Sequence, residues 1–549
     1  MLRSKILLIS IVLLLSSISG LYFYTLWNGE EILPGFGLDP FFCLFIIKSN
    51  ANHLLSLQVT DILSPNFFYP NKYTLGFSDP LFFHSILFIL AKTFNTSNAF
   101  AIGFVYIFFF ALNWYFAFYL FFLINNRIFL SICFSWIFAF SLYFQVQSAH
   151  YQNLCIFPFL MLLIPIINPW LGAFRMFFFP FIAFVILGTT NLYFLVYGIF
   201  LFVSGIGMRI VHASFRFNSK LLPSLFGFSF AFILISPVLL FYINMKNLYP
   251  EIAGARNFEE KLFFSVRPWD YFRNIYLPDF FLSAKSFFRP QEFERGVFSG
   301  FMIYLGFLYA MFYERIHKKP RIHFLIHFSL FLLCLAVFLC SGPLLFPQIF
   351  PILETIIPGL SEIRAVGRGA FLLHIALFLI VYRFLSRLVN SGNIKRLVLV
   401  SFLVIMFFER WSSDYLNRSE RYRDKQSLEV IDLLDSMTLK ITDSDSFLFI
   451  TKDGGEMIRT PLLLGIERNI TMVNGYSGYQ PKEWKYFSMM VEDHINCSEA
   501  FQKNEFLLLH SKYLIIEKSL PINKTCDRFQ TEYRILNESN RFQVLVRNI

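Results

Sequence analysis

Long apolar runs rich in Phe and Leu recur along this 549-residue chain as far as about residue 408, and they constrain its fold more than any other feature. Phe alone supplies 76 residues, and 56% of the sequence is hydrophobic against 15% charged. A soluble domain cannot bury so many long apolar runs, but a lipid bilayer can accommodate them. We therefore expect most of the chain to lie in a membrane as helices, which satisfy their own backbone hydrogen bonds.

Eleven of these runs are predicted to be membrane-spanning helices. The first follows Arg3 and Lys5 and has the charge order of a signal peptide. Its apolar stretch continues for about 22 residues, which is enough to span, so we expect an uncleaved helix that starts in the cytoplasm. The predicted spans are 6–27, 99–124, 128–146, 154–167, 176–189, 193–208, 221–244, 297–313, 322–340, 370–382 and 397–408.

The apolar run 81–94 is shorter, follows Pro80 and contains His84. If it does not span, every short turn with clustered basic residues lies on the cytoplasmic side, as the positive-inside rule requires. The outer loop 246–296 has eight basic and seven acidic residues, and the rule weakens in so long a loop. We therefore predict that 81–94 is an interfacial or re-entrant helix on the outer face. The basic residues of the turns are Arg127, Arg175, Arg209, Arg216, Lys220, Arg315, Lys318, Lys319, Arg321, Arg383, Arg387, Lys395 and Arg396.

The predicted membrane domain, 1–408, has an irregular outer loop at 28–97 that concentrates ionisable residues. Helical membrane proteins avoid such groups at bilayer depth unless the groups line a cavity or a site. This loop, with its juxtamembrane helices, is therefore where we expect function to lie. Its ionisable residues include Glu30, Glu31, Asp39, His53, Asp61, Asp79 and His84.

The composition changes after residue 408, where polar turns alternate with short β-like runs such as 446–451 and 513–517. An amphipathic helix is predicted at 427–436. Residues 409–549 are therefore predicted to form an α/β domain of ordinary size. With eleven spans and a cytoplasmic start, this domain lies on the outer, extracytoplasmic side of the membrane.

Cysteine and charge patterns exclude several classes of function. Cys497 and Cys526 are the two cysteines of the tail. They can form a disulfide or remain two free thiols, and the sequence leaves both alternatives open. The chain has no CxxC pair, no zinc-like Cys/His spacing, and no phosphate-binding glycine loop after a strand. The formal net charge is +11, but the basic residues are dispersed between apolar runs, which argues against nucleic-acid binding.

Asp39 is the strongest candidate for chemistry in the first outer loop. It precedes Pro40, which can start a helix, and it follows Gly35 and Gly37, which allow close backbone approach. An Asp at this place can cap the helix or act as a general base, and the two roles are compatible.

Two further segments bring polar residues to the same predicted membrane face. His150 and Gln152 lie in a turn between two spans. Arg364 and Arg368 lie four residues apart ahead of another span, on the side where the positive-inside rule disfavours them. Guanidinium groups bind phosphate through two hydrogen bonds, so an anion-binding role is favoured over headgroup contact or a salt bridge to Glu362.

Taken together, the motifs resemble the superfamily of bacterial GT-C-type membrane glycosyltransferases, which use polyprenyl-phosphate sugars. The resemblance covers nearly the whole chain, although each motif alone is loose. The matching segments are GFGLDP at 35–40 with NHLLSL at 52–57, FYPNKYTLGFSD at 68–79, HYQ at 150–152, PGLSEIRAVGR at 358–368 and VNGYSGYQP at 473–481.

The resemblance implies an inverting glycosyltransferase in the bacterial cytoplasmic membrane. Asp39 matches the position of the catalytic acidic residue and would act as base, whereas Arg364 and Arg368 would bind the departing phosphate. Its partners would be a polyprenyl-phosphate-linked sugar donor, membrane lipids and an envelope acceptor. The sugar and acceptor pocket would be shaped by Asp79, His84, His150 and Gln152.

The chain departs from the superfamily pattern in three places. Relatives often have Gly-Asp-Pro where this chain has Leu38-Asp39-Pro40, and an acidic residue followed by His where it has Asp79-Pro80. His150 stands roughly where metal-dependent members have a second acidic motif. No cofactor is assigned, and a divalent metal is disfavoured but remains an alternative.

Two other classes of function remain as alternatives. A lipid or glycan transporter would typically show internal repeats and charges in mid-span. The sequence shows no convincing repeat, and its polar residues gather at one predicted face, which favours an enzyme. A catalytically inactive GT-C-like partner in envelope assembly is the third class, since the chain departs from the superfamily motifs.

Overall fold

The computed structural model describes most of the chain. The predicted first span, Cys497 and Cys526 lie outside the described residues. Those residues are 32–35, 37–58, 60–212, 219–249, 257–273, 293–317, 323–357, 359–388, 393–409, 419–422, 425–437, 445–451, 456–476, 481, 484, 510–518 and 532–548.

Helices dominate the described part of the chain. In chain order they are α1 (Asp39–Leu55), α2 (Phe82–Lys92), α3 (Asn98–Asn125), α4 (Ile128–Ala139), α5 (Leu142–Val146), α6 (Phe157–Ile167), α7 (Ala173–Thr190), α8 (Leu192–His212), α9 (Leu222–Leu248), α10 (Phe258–Phe264), α11 (Phe301–His317), α12 (His323–Leu345), α13 (Ile349–Ile356), α14 (Ala370–Leu388), α15 (Asn393–Phe408), α16 (Lys425–Asp435) and α17 (Glu456–Arg468). The strands are β1 (Ile32–Pro34), β2 (Ser419–Arg421), β3 (Ser446–Ile450), β4 (Thr471–Met472), β5 (Tyr513–Glu517), β6 (Tyr533–Glu538) and β7 (Phe542–Arg547).

Six described helices are long and apolar enough to cross a membrane, with mean hydropathy between 1.7 and 2.5. They are Asn98–Asn125, Ala173–Thr190, Leu192–His212, Ser219–Leu248, Phe324–Leu345 and Val366–Leu388. The prediction of a multi-pass helical fold is therefore confirmed. The predicted count of eleven spans is not, because four of the other predicted spans are shorter apolar helices in the structure.

For two of these helices, a local feature of the backbone explains why they are shorter than predicted. The predicted span 128–146 divides into α4 and α5, since a tight turn forms where the amide of Ser141 donates to the carbonyl of Phe138 at 3.1 Å. The predicted span 154–167 starts late, because a 3₁₀ turn precedes it and Pro158 falls in the first turn of α6. Proline is favoured there, as its missing N–H is not needed in the first turn.

The run 81–94 forms α2, which has 11 residues. A helix of that length rises about 17 Å, well short of the roughly 30 Å of bilayer hydrocarbon. Its length agrees with a helix that does not cross the membrane. Its predicted location on the outer face remains a prediction.

The described residues form two compact units. The first, named the helical unit, comprises the described residues of Val105–Val238 and Ala255–Arg418. The second, named the mixed unit, comprises those of Glu30–Phe104, Leu239–Gly254 and Ser419–Ile549. Most of the predicted first outer loop therefore packs with the tail.

The helical unit is built around α14, whose apolar residues are buried on all sides. A helix that is apolar all round belongs in the interior of a bundle, and α14 packs against α11 and α12. Aromatic rings supply much of this packing. The Phe371 ring lies 4.2 Å from that of Phe159 and 5.0 Å from that of Phe194.

The mixed unit contains a five-stranded sheet in the order β4-β3-β5-β7-β6. Strands β4, β3 and β5 are parallel, whereas β7 pairs antiparallel with both β5 and β6. The predicted strands at 446–451 and 513–517 and the predicted helix at 427–436 are confirmed as β3, β5 and α16. Helix α1 packs against both α2 and α17, and β1 pairs antiparallel with β2.

Candidate active site

Asp39 begins helix α1 in the mixed unit. The helix-cap position falls on Leu38, which makes no side-chain cap bond, so of the two roles left open for Asp39 the structure does not place it at the N-cap. Gly35 and Gly37 have φ values of 93° and 78°, in the region that glycine tolerates best, and they turn the chain into the helix. Asp39 is half-buried, and its carboxylate at the first helical position is stabilised by the helix dipole.

The tail supplies a partner for Asp39. The hydroxyl of Tyr476 donates a hydrogen bond to Oδ1 of Asp39 at 3.2 Å, and the Tyr476 ring packs edge-on against Phe42 at 5.5 Å. Both residues belong to segments that the resemblance had singled out, GFGLDP and VNGYSGYQP. The sequence pattern predicts no role for Tyr476 itself, although its segment is part of the resemblance.

Asn474 fixes the position of this tail segment. Its side-chain amide donates to the carbonyl of Phe449 at 2.9 Å, and its Oδ1 accepts from the amide of Phe449 at 2.7 Å. Because Phe449 lies in β3, the sheet holds the segment that carries Tyr476. The Asn474 carbonyl also accepts from the amide of Phe68, which lies in the first loop.

Asp79 and His84 lie beside α1 in the same unit. Asp79 is half-buried before Pro80, whose carbonyl accepts a hydrogen bond from Asn50 of α1 at 2.8 Å. His84 is fully buried within α2. The substrate-binding roles of both residues remain predictions.

A second cluster, named the Arg–Glu–His cluster, lies in the helical unit and consists of Arg368, Glu294 and His150. Arg368 donates from Nε to Oε2 of Glu294 at 3.0 Å and from Nη2 to Oε1 at 2.5 Å. Nε2 of His150 lies 3.1 Å from the same Oε1. Both carboxylate oxygens are thus engaged by the two residues for which substrate binding was predicted.

The cluster is largely withdrawn from solvent. The side chains are 8% exposed for Arg368, 11% for Glu294 and 16% for His150. Burial by itself raises the pKa of Glu294, but the Arg368 guanidinium and His150 outweigh it and hold that pKa well below its usual value. Glu294 is therefore a charged carboxylate at neutral pH. Nothing in the sequence distinguishes Glu294 among the seven acidic residues of its loop.

The backbone around Arg368 is held by two tyrosines. Arg368 lies in a 3₁₀ turn, Val366–Gly369, directly before α14. Tyr143 donates its hydroxyl to the Arg368 carbonyl at 3.1 Å, and Tyr197 donates to the Val366 carbonyl at 3.4 Å. A Cβ on Gly367 would lie 2.5 Å from the Glu294 carbonyl oxygen, so a glycine is needed for the two turns to approach so closely.

Arg364 pairs with a different carboxylate from the one in the Arg–Glu–His cluster. Its Nη1 is 3.6 Å from Oε1 of Glu260, and its guanidinium lies 5.2 Å from the ring centroid of Phe264. With about a third of its side chain exposed, this pair is screened by water. The structure therefore places the two predicted phosphate ligands in different environments, and the role of each remains a prediction.

Gln152 lies in the turn that carries His150, and it is buried. The neighbouring Asn153 donates to Oε1 of Gln147 at 2.7 Å and accepts from Asn191 at 3.0 Å. These bonds fix the turn and hence the position of His150. Among the residues that the structure describes, no three His, Cys, Asp or Glu side chains come together as metal ligands.

Neither a protein-family model nor any curated protein matches this chain. Among solved structures it is similar to the arabinofuranosyltransferase AftD from Mycobacteria, with a TM-score of 0.59 at 11% identity. The match covers 98% of this chain and 40% of AftD, so this chain spans less than half of that protein's length. The archaeal oligosaccharyltransferase AglB from Archaeoglobus fulgidus matches with a TM-score of 0.46 at 12% identity, over 93% of this chain and 69% of AglB.

The AftD match shows which fold class this chain has. At 11% identity the likeness concerns the fold alone, yet it extends over nearly the whole chain. The chain therefore shares the fold of AftD, a glycosyltransferase, and the resemblance found in its motifs is confirmed at the level of the fold.

Proposed function

We propose that this protein is a membrane glycosyltransferase that moves a sugar from a polyprenyl-phosphate donor to an envelope lipid, glycan or protein. The observation that carries the proposal is Asp39. In a chain with the GT-C fold, it presents a half-buried carboxylate at the start of α1, held by the hydroxyl of Tyr476. Its segment is the one whose pattern resembles the catalytic loop of that superfamily.

The proposed reaction needs a base and a site for a leaving anion. An acceptor hydroxyl attacks the anomeric carbon of the donor, its oxygen forms the new glycosidic bond, and Asp39 takes the proton. The bond between the anomeric carbon and the phosphate oxygen breaks, and the polyprenyl phosphate departs with the electron pair. Attack opposite the leaving group inverts the anomeric centre. A well-placed base contributes about 10²–10⁴-fold to such a step.

The remaining predicted residues take binding roles in the proposal. Arg368 and Arg364 are assigned to the phosphate, since guanidinium groups stabilise a departing phosphate oxygen. Asp79, His84, His150 and Gln152 are assigned to the sugar and the acceptor. The protein is proposed to lie in a bacterial cytoplasmic membrane, with its tail domain on the outer side.

Comparison of envelope glycans in cells with and without the gene tests this proposal. We expect one lipid-, glycan- or protein-linked sugar to disappear on deletion and to return with the wild-type gene. Asp39→Asn should fail to restore it, because the amide cannot accept the proton, while its membrane level stays normal. Asp61→Asn, an exposed residue of the same loop, is the matched control and should restore the glycan.

Two opposite results would each contradict a part of the proposal. If Asp39→Asn restores the glycan fully, Asp39 is not the base, which must then be sought at Asp79 or Asp61. If no glycan depends on the gene, the transporter or the inactive partner becomes the better interpretation.

A further inference from the structure

We propose that Glu294 is an internal competitor for phosphate: its carboxylate occupies the anion site formed by Arg368 and His150, and the phosphate of a lipid-linked donor or product displaces it. This inference deepens the proposed function and rests on it. It assigns a role to a residue that the motifs did not single out.

The geometry of the Arg–Glu–His cluster is that of an occupied anion site. The guanidinium engages both carboxylate oxygens through Nε and Nη2, the planar arrangement that it also offers to phosphate. His150 adds a third contact at 3.1 Å to one of these oxygens. A phosphate group could accept all three contacts with its own oxygens. The Glu294 carboxylate therefore stands where a ligand phosphate would bind.

The charge of the site supports exchange of one anion for another. Removing Glu294 without replacement would leave the Arg368 guanidinium, which is only 8% exposed, without its carboxylate. Leaving a buried charge uncompensated is costly, so Glu294 is displaced only when another anion takes its place. An uncharged polyprenol cannot supply that anion, whereas a polyprenyl phosphate can.

The backbone next to Glu294 is held in place. The Glu294 carbonyl is packed against Gly367, and the next residue, Arg295, is 1% exposed. Arg295 is anchored by a hydrogen bond to the Phe263 carbonyl at 3.4 Å and by Asp270 at 3.8 Å. The exchange would therefore proceed through the side-chain torsions of Glu294 and not through its backbone.

Such a competitor lowers the affinity of the site for donor and product by the same factor, and the consequence is most important for release of the product. The donor is a phosphodiester with one negative charge, whereas transfer of the sugar leaves a phosphomonoester that carries additional negative charge near pH 7. The more highly charged product binds the guanidinium more strongly and would remain bound. A carboxylate that returns to Arg368 opposes this retention and favours release of the product.

Binding of farnesyl phosphate to the full-length protein in detergent, measured by calorimetry at fixed salt and pH, tests the inference. Glu294→Gln removes the competing charge but keeps a similar shape. We expect it to lower the Kd for farnesyl phosphate about tenfold, the effect of one charge-assisted hydrogen bond. Farnesol, which lacks the phosphate, should bind both proteins equally.

Asp435→Asn is the matched control. It removes the carboxylate beside Arg468, in a pair of the mixed unit that is about half exposed and that the proposal does not use. We expect its Kd for farnesyl phosphate to stay within about twofold of the wild-type value. Glu294→Asp keeps the charge on a shorter arm, and its Kd should fall between those of the wild type and Glu294→Gln.

An unchanged or higher Kd in a folded Glu294→Gln protein would overturn the inference, because Glu294 would then support the site instead of competing for it. If that variant does not fold, Glu294→Asp decides: a Kd at or above the wild-type value contradicts the exchange. If Arg368→Ala leaves the wild-type affinity unchanged, the phosphate binds elsewhere and the inference fails. The assay contains neither sugar nor acceptor, so its outcome is independent of the Asp39 test of the proposed function.

Discussion

Tyr476 and Asp39 form the contact in the mixed unit that bears most directly on the proposed chemistry. The Tyr476 hydroxyl donates to Oδ1 and thereby orients the Asp39 carboxylate. The ring of Tyr476 is itself positioned by Phe42. We therefore regard Tyr476 as a positioning residue for the proposed base.

Tyr476→Phe tests this positioning role. The ring and its packing on Phe42 are kept, but the hydrogen bond to the Asp39 carboxylate is lost, which is worth about 1.5–3 kcal/mol for a charged acceptor. We expect kcat for sugar transfer to fall about ten- to hundredfold while KM for the donor stays the same. Tyr73→Phe, an exposed tyrosine of the first loop, is the control and should leave both constants unchanged. A change in KM alone would instead place Tyr476 in donor binding.

Arg368 offers a test of both stability and donor binding. Arg368→Ala leaves the Glu294 carboxylate buried without its main partner, which costs about 3–5 kcal/mol in comparable pairs. Thermal unfolding in detergent should therefore show a clear loss of stability. The double variant Glu294→Gln/Arg368→Ala should recover part of it, because no unpaired charge remains. If the loss of stability in the double variant equals the sum of the losses in the two single variants, the two residues are not coupled.

Arg368→Lys separates charge from geometry at the same position. The ammonium keeps the positive charge but cannot form two parallel hydrogen bonds. We expect donor binding to be intermediate between wild type and Arg368→Ala, with a loss of up to roughly 1.5–3 kcal/mol for the missing charge-assisted bond. Equal donor affinity in Arg368→Lys and wild type would show that donor binding does not use two parallel hydrogen bonds from the guanidinium group.

Among the helices, α2 decides the predicted topology. If it lies on the outer face, Ser97, an exposed residue that follows it, is outside the cell. A cysteine at Ser97 should then react with an impermeant thiol reagent in intact cells. A cysteine at Asn126, in a turn predicted to be cytoplasmic, should react only after the membrane is opened. Protection at Ser97 would require α2 or a neighbouring run to be reassigned.

The helices also show which structural features a hydropathy pattern predicts and which it does not. Long runs such as 99–124 and 193–208 were located correctly as α3 and α8, because their ends coincide with polar residues. The break between α4 and α5 was missed, since the residues of the turn, Phe140 and Ser141, do not interrupt the apolar character of the run. Apolar content reports which segments avoid water, and it does not report where the backbone turns.

The candidate sites show a similar limit. The start of α1 followed from the local pattern of glycine, Asp39 and Pro40, so it could be read from adjacent residues. Glu294 could not, because its partner Arg368 lies 74 residues further along the chain and nothing in the sequence distinguishes it from the other acidic residues of its loop. Pairings at such separations arise from tertiary packing.

For the whole molecule, the low pKa of Glu294 predicts a loss of stability in acid. In the unfolded chain this carboxyl takes up a proton near its usual pKa of 4.5, whereas in the folded protein it resists protonation. The unfolded state therefore binds more protons in that window, and stability falls as the pH is lowered below about 4.5 toward the depressed folded-state pKa.

Unfolding temperatures measured between about pH 7 and pH 3 check this prediction. The wild type should lose stability below about pH 4.5, and Glu294→Gln should show a shallower decline because it has no carboxyl to titrate. Glu260→Gln, which alters a solvent-exposed pair, should follow the wild type. Parallel curves for the wild type and Glu294→Gln would mean that other groups control the acid sensitivity.

The hydrogen bond between Tyr476 and Asp39 has a consequence for biogenesis. The two residues are 437 positions apart, so the ribosome makes the carboxylate long before its phenol partner. The segment that carries Tyr476 is in turn held by β3, in a sheet whose β5, β6 and β7 follow it in the chain. A nascent protein thus has its helices before the proposed base has its partner, and under the proposed function sugar transfer begins only after these strands are made and folded. Loss of β5, β6 and β7 would therefore act as a catalytic lesion, even where insertion into the membrane proceeds normally.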